Sequence, residues 1–174
     1  SIHNDLYGIP PVYNNYIYKS GTGIHADEGG LTAISNNQIV EGTNGIYLTD
    51  SNCQVTDNII TGNSRFPFGQ FDTSSPTYTG NILEDNIFDS VAVGGTIRTD
   101  VTWDEIQGEF LPYTVVDHLV INEKATLTFG VPGMIVKFDY NHSEYYGGYQ
   151  YTTRMTVKGI IDTQSTQENP VIFT

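Results

Sequence analysis

Residues 139–151 contain the side chains best suited to bind a ligand. Five tyrosines and a Gly-Gly pair lie there, between two segments of strand-like sequence. An exposed tyrosine presents a flat apolar ring and a hydroxyl group, which glycan and protein recognition both use. The tyrosines are Tyr140, Tyr145, Tyr146, Tyr149 and Tyr151. The segment therefore predicts either a ligand-binding loop or a set of rings that pave the side of the fold or a subunit contact.

A second aromatic group lies in residues 64–79, which carry Phe66, Phe68 and Phe71 together with two prolines. This segment interrupts the spacing of the residues on either side, so we expect an inserted loop. Long loops without an element of their own are often functional. The three rings are accordingly predicted to contact a ligand, with the alternative that they fold back and cover the flank of the fold.

Oxygen-rich side chains beside the tyrosines make Ca²⁺ the one cofactor that the sequence suggests. Asp139, Asn141 and Glu144 offer carboxylate and amide oxygens, and Ca²⁺ takes roughly six to eight oxygen ligands. The chain has no EF-hand spacing, so neighbouring turns would have to complete the site. The four histidines show no zinc-binding spacing.

Residues that could catalyse polysaccharide cleavage do not cluster in the sequence. A lyase needs a base beside a cation that neutralises the substrate carboxylate, but the three arginines are far apart. A glycoside hydrolase needs two carboxylates at a fixed separation, and no Asp-Asp pair occurs. Asp57 and Asp85 each precede an asparagine and could stack on one side, or could be solvated turn residues. We predict that the chain is not an enzyme.

These side chains must be positioned by short strands, because the first half of the chain repeats with a period of about 22 residues. Each repeat joins an Asn-x-apolar unit to a Gly-Ile unit, and a period of this length predicts one coil of a solenoid. Asparagines at one corner of successive coils can form a ladder of side-chain hydrogen bonds. The Asn-x-apolar units begin at Asn15, Asn37 and Asn58, and a fourth begins at Asn86 after the insertion.

The composition of the chain restricts the classes of partner that it is expected to bind. The chain has 174 residues and a formal net charge of −13, which disfavours nucleic acid and anionic lipid as partners. No apolar run is long enough to span a membrane, and the chain has no signal peptide, so we expect a mature or excised segment. The single cysteine, Cys53, excludes an internal disulfide and is expected to pack in the core.

The second half of the chain carries a different set of strand-like units. They include Val101-Thr102-Trp103, Gly133-Met134-Ile135-Val136-Lys137-Phe138 and Asn169-Pro170-Val171-Ile172-Phe173-Thr174. Together with the Asn-x-Ile units, they resemble the right-handed parallel β-helix repeats of large bacterial and archaeal surface proteins. The resemblance implies an all-β parallel β-helix, and it is weak for function because this class spans adhesins, surface-layer proteins, polysaccharide-degrading enzymes and phage spikes.

The sequence therefore predicts one β-helix domain over residues 1–174 with two inserted loops, 64–79 and 139–153. Residues 1–14 form an irregular cap or connection, 15–99 the Asn and Gly-Ile coils, and 100–174 the second style of coil. The expected role is a non-catalytic structural or adhesive segment at the cell surface, which assembles with itself end-to-end or laterally, or binds surface glycans. The alternative is a carbohydrate-binding or polysaccharide-degrading β-helix. A phage spike would require a tight homotrimer.

Overall fold

The computed structural model describes the backbone of residues 1–4, 11–27, 33–108, 111–139, 144–146, 149–151 and 153–174. It describes the side chains of residues 1–2, 11–27, 33–108, 111–139 and 153–174. Within these ranges every regular element is a β-strand, and no helix is long and apolar enough to cross a membrane.

The strands are short, as the closely spaced Asn and Gly residues of the sequence require. In chain order they are β1 Ile2–Asn4, β2 Val12–Tyr13, β3 Tyr16–Tyr18, β4 Thr22–Asp27, β5 Ala33–Ser35, β6 Gln38–Val40, β7 Asn44–Thr49, β8 Gln54–Thr56, β9 Ile59–Thr61, β10 Phe68–Phe71, β11 Thr77–Thr79, β12 Ile82–Glu84, β13 Val91–Ile97, β14 Val101–Trp103, β15 Tyr113–Ile121, β16 Thr126–Phe129, β17 Ile135–Phe138, β18 Glu144–Tyr146, β19 Tyr149–Tyr151, β20 Met155–Val157, β21 Ile160–Thr163 and β22 Ile172–Phe173.

These strands stack into parallel sheets that run along the molecule. The main sheet has the order β1-β4-β7-β10-β13-β15-β17-β22, with β20 also paired to β15. The second sheet has the order β11-β8-β5-β2, and the third β12-β9-β6-β3. Each coil of the first half contributes one strand to each sheet, which confirms the predicted parallel β-solenoid. The described strands build about five turns.

The core lies between the sheets and is filled by rows of inward-facing side chains. Ile24, Ile46 and Phe68 stack in one row of the main sheet, because their strands pair in parallel register. Ile17, Ile39 and Ile60 form the facing row of the third sheet. Cys53 is buried, and burial raises the pKa of its thiol to about 11, so the thiol stays protonated at neutral pH. The prediction that Cys53 is a core residue is confirmed.

The coils turn at three columns of residues with positive φ. One column holds Asn14, Asn36, Asp57 and Gly80, a second holds Lys19, Glu41, Gly62 and Asp85, and a third holds Asp50, Asp72 and Gly95. A left-handed residue at each corner lets the chain change direction within a few residues. The left-handed residues of the first column therefore stand one position before the repeat asparagines.

The repeat asparagines form the predicted ladder. The Asn58 side-chain oxygen accepts hydrogen bonds from the backbone N–H and the Nδ2 of Asn37, at 3.0 and 2.9 Å. Asn37 receives the same pair from Asn15, at 3.1 and 2.9 Å. Asn58 in turn donates both groups to Asn81 Oδ1. Asn37 and Asn58 are completely buried, so each amide compensates for polar groups that have no access to water.

Beyond Asn58, the members of the ladder differ from those that the repeat units predict. Asn81, and not Asn86, is the fourth member, and Gln107 completes the stack by accepting from the Asn81 backbone N–H at 2.8 Å and donating to its carbonyl at 2.7 Å. Asn86 belongs to a second, shorter ladder, where its Oδ1 accepts from the N–H and Nδ2 of Asn63. Asn63 Oδ1 accepts in turn from the N–H of Gly42 at 3.0 Å.

Residues 64–79 are not an inserted loop. Their β10 pairs in parallel with both β7 and β13 in the main sheet, and β11 pairs with β8 in the second sheet. The segment is a regular coil in which the repeat is hard to recognise, because Phe68 occupies the position of Ile24 and Ile46 in the two preceding coils and Phe71 the position of Asp27 and Thr49. Parallel pairing also reaches into the predicted cap of residues 1–14, where β1 pairs with β4 and β2 with β5.

The second predicted insertion does leave the parallel stack. The strands β18 and β19 pair with each other in antiparallel register as a separate two-stranded sheet. The expected change of style after residue 99 is present too, because β14, β16 and β21 form a separate sheet. Trp103 packs at this change, stacked on Tyr113 with ring centroids 4.7 Å apart.

Removing a central ladder amide should be much more costly than removing a terminal one. We expect Asn58→Ala to lower the free energy of unfolding by about 3 kcal/mol, because it leaves buried partners on Asn37 and Asn81 unsatisfied. Urea unfolding followed by circular dichroism measures the loss.

The matched control is Asn15→Ala, at the end of the same ladder, where the lost bonds are those that Asn15 Nδ2 donates to Asn37 Oδ1 and to the Tyr13 carbonyl. The Asn15 backbone N–H remains, so we expect a loss of about 1 kcal/mol or less. Equal losses for the two variants would contradict a cooperative ladder.

Candidate functional site

The outer face of the main sheet holds a group of polar and aromatic side chains from three adjacent coils. Parallel register places His25, Tyr47 and Gly69 in one outward row. A neighbouring row contains Asp27, Thr49 and Phe71. Three adjacent coils therefore contribute to one surface, which a repeat of about 22 residues produces without any long-range connection.

Because Gly69 has no side chain, the rings of Tyr47 and Phe71 can both lie against the outer face of the main sheet at this position. A Cβ at this position would lie 2.6 Å from Tyr47 Cδ1 and 2.8 Å from Phe71 Cε2. The Tyr47 and Phe71 rings lie 5.2 Å apart, and the Tyr47 hydroxyl donates to Asn44 Oδ1 at 2.9 Å. Burial raises the pKa of Tyr47 to about 12, against the opposing effect of the nearby Arg65 charge. The hydroxyl therefore remains protonated at neutral pH.

The predicted ligand role of the phenylalanines needs correction. Phe66 and Phe68 are completely buried, so neither ring is available to a ligand from solvent. Phe68 packs in the main core, whereas Phe66 forms a small cluster outside the main sheet with Ala92 and Val116. Phe71 alone keeps partial exposure. The alternative, that the rings cover the flank of the fold, describes Phe66 well, and its ring stacks on Phe88 at 4.7 Å.

Two carboxylates and an arginine meet at the third corner column. Arg98 Nη1 lies 3.2 Å from Asp50 Oδ2 and 3.3 Å from Asp72 Oδ1. Each aspartate also accepts a backbone N–H from the following coil, from Thr73 at 3.0 Å for Asp50 and from Thr96 at 2.8 Å for Asp72. Asp50 and Asp72 lie one repeat apart in the sequence, and this spacing could have predicted that they lie together. The cluster was not predicted because residues 64–79 were interpreted as a loop.

This arrangement suits a structural clamp better than catalysis. A glycoside hydrolase needs one carboxyl group that donates a proton and a second that is free to attack or to activate water. In Asp50 and Asp72, Oδ1 already accepts a hydrogen bond from a backbone amide, and each carboxylate lies beside the Arg98 guanidinium. Asp57 and Asp85 do not stack on one side, because they lie in different corner columns; the alternative, that they are solvated turn residues, is confirmed, since both are exposed and have positive φ.

The predicted calcium ligands are only partly within the described residues. Asp139 lies 3.5 Å from Arg65 Nη2, and its backbone carbonyl accepts a hydrogen bond from Thr153 Oγ1 at 2.9 Å. A nearby guanidinium disfavours a divalent cation at the same carboxylate. Asn141 and the side chain of Glu144 lie outside the described part of the chain. Within the described part, no three His, Cys, Asp or Glu residues are grouped as metal ligands would be.

The tyrosine segment is described as backbone only. Tyr145 and Tyr146 lie on β18, and Tyr149 and Tyr151 lie on β19, the two strands of the antiparallel hairpin. Tyr140 lies outside the described residues, and so do the side chains of the other four. The ligand-binding role of these tyrosines therefore remains a prediction.

Residues 7–102, more than half of the chain, match a family model described as right handed beta helix region. The chain belongs to this family. A search of curated proteins and a search of solved structures found no match. The family includes both enzymes and proteins without catalytic activity, so the choice between these roles has to be argued from the surface of this chain.

Buried tyrosines should make the fold sensitive to alkali. Burial raises the pKa of Tyr47, Tyr78 and Tyr113 above the ordinary value of about 10. A raised folded-state pKa gives stability that is fully present below the unfolded pKa and is lost as pH rises towards the folded pKa. We expect the free energy of unfolding to fall as pH rises from about 10 to about 12, measured by urea unfolding at each pH.

In Tyr47→Phe this fall should be shallower, because one of the titrating groups is gone. The exposed Tyr16 supplies the control, since Tyr16→Phe should leave the slope of the wild-type protein unchanged. An unchanged slope in Tyr47→Phe would show that the Tyr47 hydroxyl ionises in the folded state as easily as in the unfolded state.

Proposed function

We propose that this chain is a non-catalytic structural and adhesive segment of an extracellular surface protein. The observation that carries the proposal is the outward face of the third sheet, where large apolar side chains recur from coil to coil beside the polar Gln38, Thr61 and Glu84. Tyr16 is 66% exposed, Tyr18 49% and Ile82 46%. Large apolar side chains in a contiguous exposed group are typical of contact surfaces.

Register explains why these side chains form one surface. Tyr16, Gln38, Ile59 and Ile82 occupy equivalent outward positions of β3, β6, β9 and β12. The inward neighbours of these positions are core residues, and the asparagine ladder runs along the corner beside them. The lateral face, defined here as Tyr16, Tyr18, Val40, Ile59 and Ile82, is therefore held rigid without a partner.

The carboxylate geometry supports a role without catalysis. Asp50 and Asp72 are engaged by backbone amides and by Arg98, as described above. An adhesive segment needs only a rigid frame and a surface, and a rigid frame lowers the entropy lost on contact. The partners are expected to be further copies of the chain, joined laterally or end-to-end, or surface glycans. Ca²⁺ is retained in the proposal only as a cation that assembly could require.

Light scattering tests assembly through the lateral face. We expect the solution mass of the wild-type protein to rise with protein concentration, and the double variant Tyr16→Ser, Tyr18→Ser to remain closer to the monomer. Tyr13→Ser is the matched control, because Tyr13 is 55% exposed but lies on β2 of the second sheet. Repeating the series with Ca²⁺ and with a chelator tests the cation.

A monomeric mass at every concentration, with and without Ca²⁺, would contradict self-assembly. Catalysis is tested separately by incubating the protein with neutral and uronic acid polysaccharides and assaying for new reducing ends and unsaturated products. We expect no turnover. Turnover that disappears in Asp50→Asn or Asp72→Asn would overturn the non-catalytic role and support the polysaccharide-degrading alternative.

A further inference from the structure

A cavity of about 280 Å³ opens where the second sheet ends. In this sheet β11 is the last strand, and within the described residues no strand of the following coil pairs with it. Asp104, Glu105 and Ile106 of the following coil stand over the gap instead. The cavity is therefore a consequence of the change between the two styles of coil.

In the coil beside the cavity, two inward positions that hold apolar side chains in neighbouring coils hold polar side chains instead. Gln70 occupies the inward row that Leu48 and Val93 fill in the adjacent coils. Tyr78 occupies the row that Val55 fills in the coil before. Both are almost completely buried, although a buried amide or hydroxyl is costly unless it has a partner. Gln70 and Tyr78 both form part of the cavity wall.

The polar groups of Gln70 and Tyr78 are only loosely bonded within the protein. The Tyr78 hydroxyl donates to Gln70 Oε1 at 3.3 Å, and Gln70 Nε2 donates to the Ser74 carbonyl at 3.4 Å. These distances exceed the usual range for such bonds. An amide and a hydroxyl held this way can reorient towards a ligand that offers hydroxyl groups.

The rest of the lining supplies acceptors, donors and an apolar wall. Ser75, Thr77 and Thr102 contribute hydroxyl groups, and Asp104 and Glu105 contribute carboxylates. Pro76 and Ile106 provide apolar surface that suits the C–H face of a sugar ring. Among the lining residues that the structure describes, none is Lys, Arg or His. The charge of the site is therefore negative, and an anionic ligand would be repelled.

We propose that this cavity binds one pyranose sugar that carries no negative charge. Pockets for drug-sized ligands have volumes of roughly 300–1,000 Å³, so the cavity accommodates a single ring and not a longer chain. Gln70 and Tyr78 contact the sugar hydroxyls from the inside, and Glu105 accepts a hydroxyl or amino hydrogen at the entrance. A uronic acid is excluded by the two carboxylates. Binding here is independent of assembly through the lateral face.

Saturation-transfer NMR and calorimetry with the full chain test the site. The probes are glucose, mannose, galactose, N-acetylglucosamine, glucosamine and glucuronic acid, presented as methyl glycosides. We expect at least one uncharged or amino sugar to bind with a millimolar Kd and glucuronic acid to bind about tenfold more weakly or not at all. Absence of binding by all of the uncharged and amino sugars would overturn the proposal, and so would equal binding of glucuronic acid.

Two pairs of variants locate the binding. Thr77→Tyr fills the entrance and should lower the affinity about tenfold or more, whereas Thr79→Tyr, on the same strand and outside the cavity, should change it by less than about twofold. Glu105→Gln should weaken binding, and Glu84→Gln, an exposed glutamate outside the cavity, should not. The second pair keeps the test decisive if Thr77→Tyr does not fold. Equal effects within each pair would place the sugar elsewhere and overturn the assignment.

Discussion

Side-chain amides stacked between coils are the interaction on which the rest of this structure depends. A narrow solenoid has little room for a core, so its corners must bring polar backbone into the interior. The ladder from Asn15 to Gln107 satisfies these groups from coil to coil, with bonds of about 2.7–3.1 Å between its members. Because each amide both accepts from one coil and donates to the next, the register of one coil fixes the register of its neighbour.

The register of the coils determines which side chains lie together on each surface of the molecule. The main sheet places His25, Tyr47 and Phe71 in adjacent rows, and the third sheet places Tyr16 and Ile82 at equivalent outward positions. The same register stacks Asp50 and Asp72 in the third corner column, where both carboxylates lie beside Arg98. The cavity lined by Gln70 and Tyr78 lies where the repeat changes style. The proposed contact surface is therefore a product of the repeat, and the proposed sugar site is a product of its interruption.

The sequence predicted the features that depend on local periodicity. Asn15, Asn37 and Asn58 stand at the repeat spacing, and their ladder followed from the hydrogen-bonding capacity of an amide. Asn81 was missed because its own coil has Phe68 where the two preceding coils have Ile24 and Ile46, and the neighbouring Phe and Pro residues made residues 64–79 resemble an insertion. Gln107 could not be predicted, because it enters the ladder from a coil of different style with no asparagine to mark the position.

The candidate sites were less predictable, because burial and neighbours decide them. Phe66 and Phe68 lie in a segment with the composition of a binding loop, yet Phe68 is buried by the pairing of its strand with β7 and β13, and Phe66 is buried against Ala92 and Val116. Gln70 and Tyr78 have no sequence motif, and their importance comes from facing inward beside the end of a sheet. Arg98 is 48 residues from Asp50 in the chain, and only the coil geometry brings the two together.

Hydrogen exchange measured by NMR tests the central claim most directly. If the amide ladder fixes the register of the coils, the backbone amides of Asn37, Asn58 and Asn81 should be among the slowest to exchange and should open with a common free energy, close to that of global unfolding. Exchange of these three amides at the rate of exposed corner residues, or at three unrelated rates, would contradict the account.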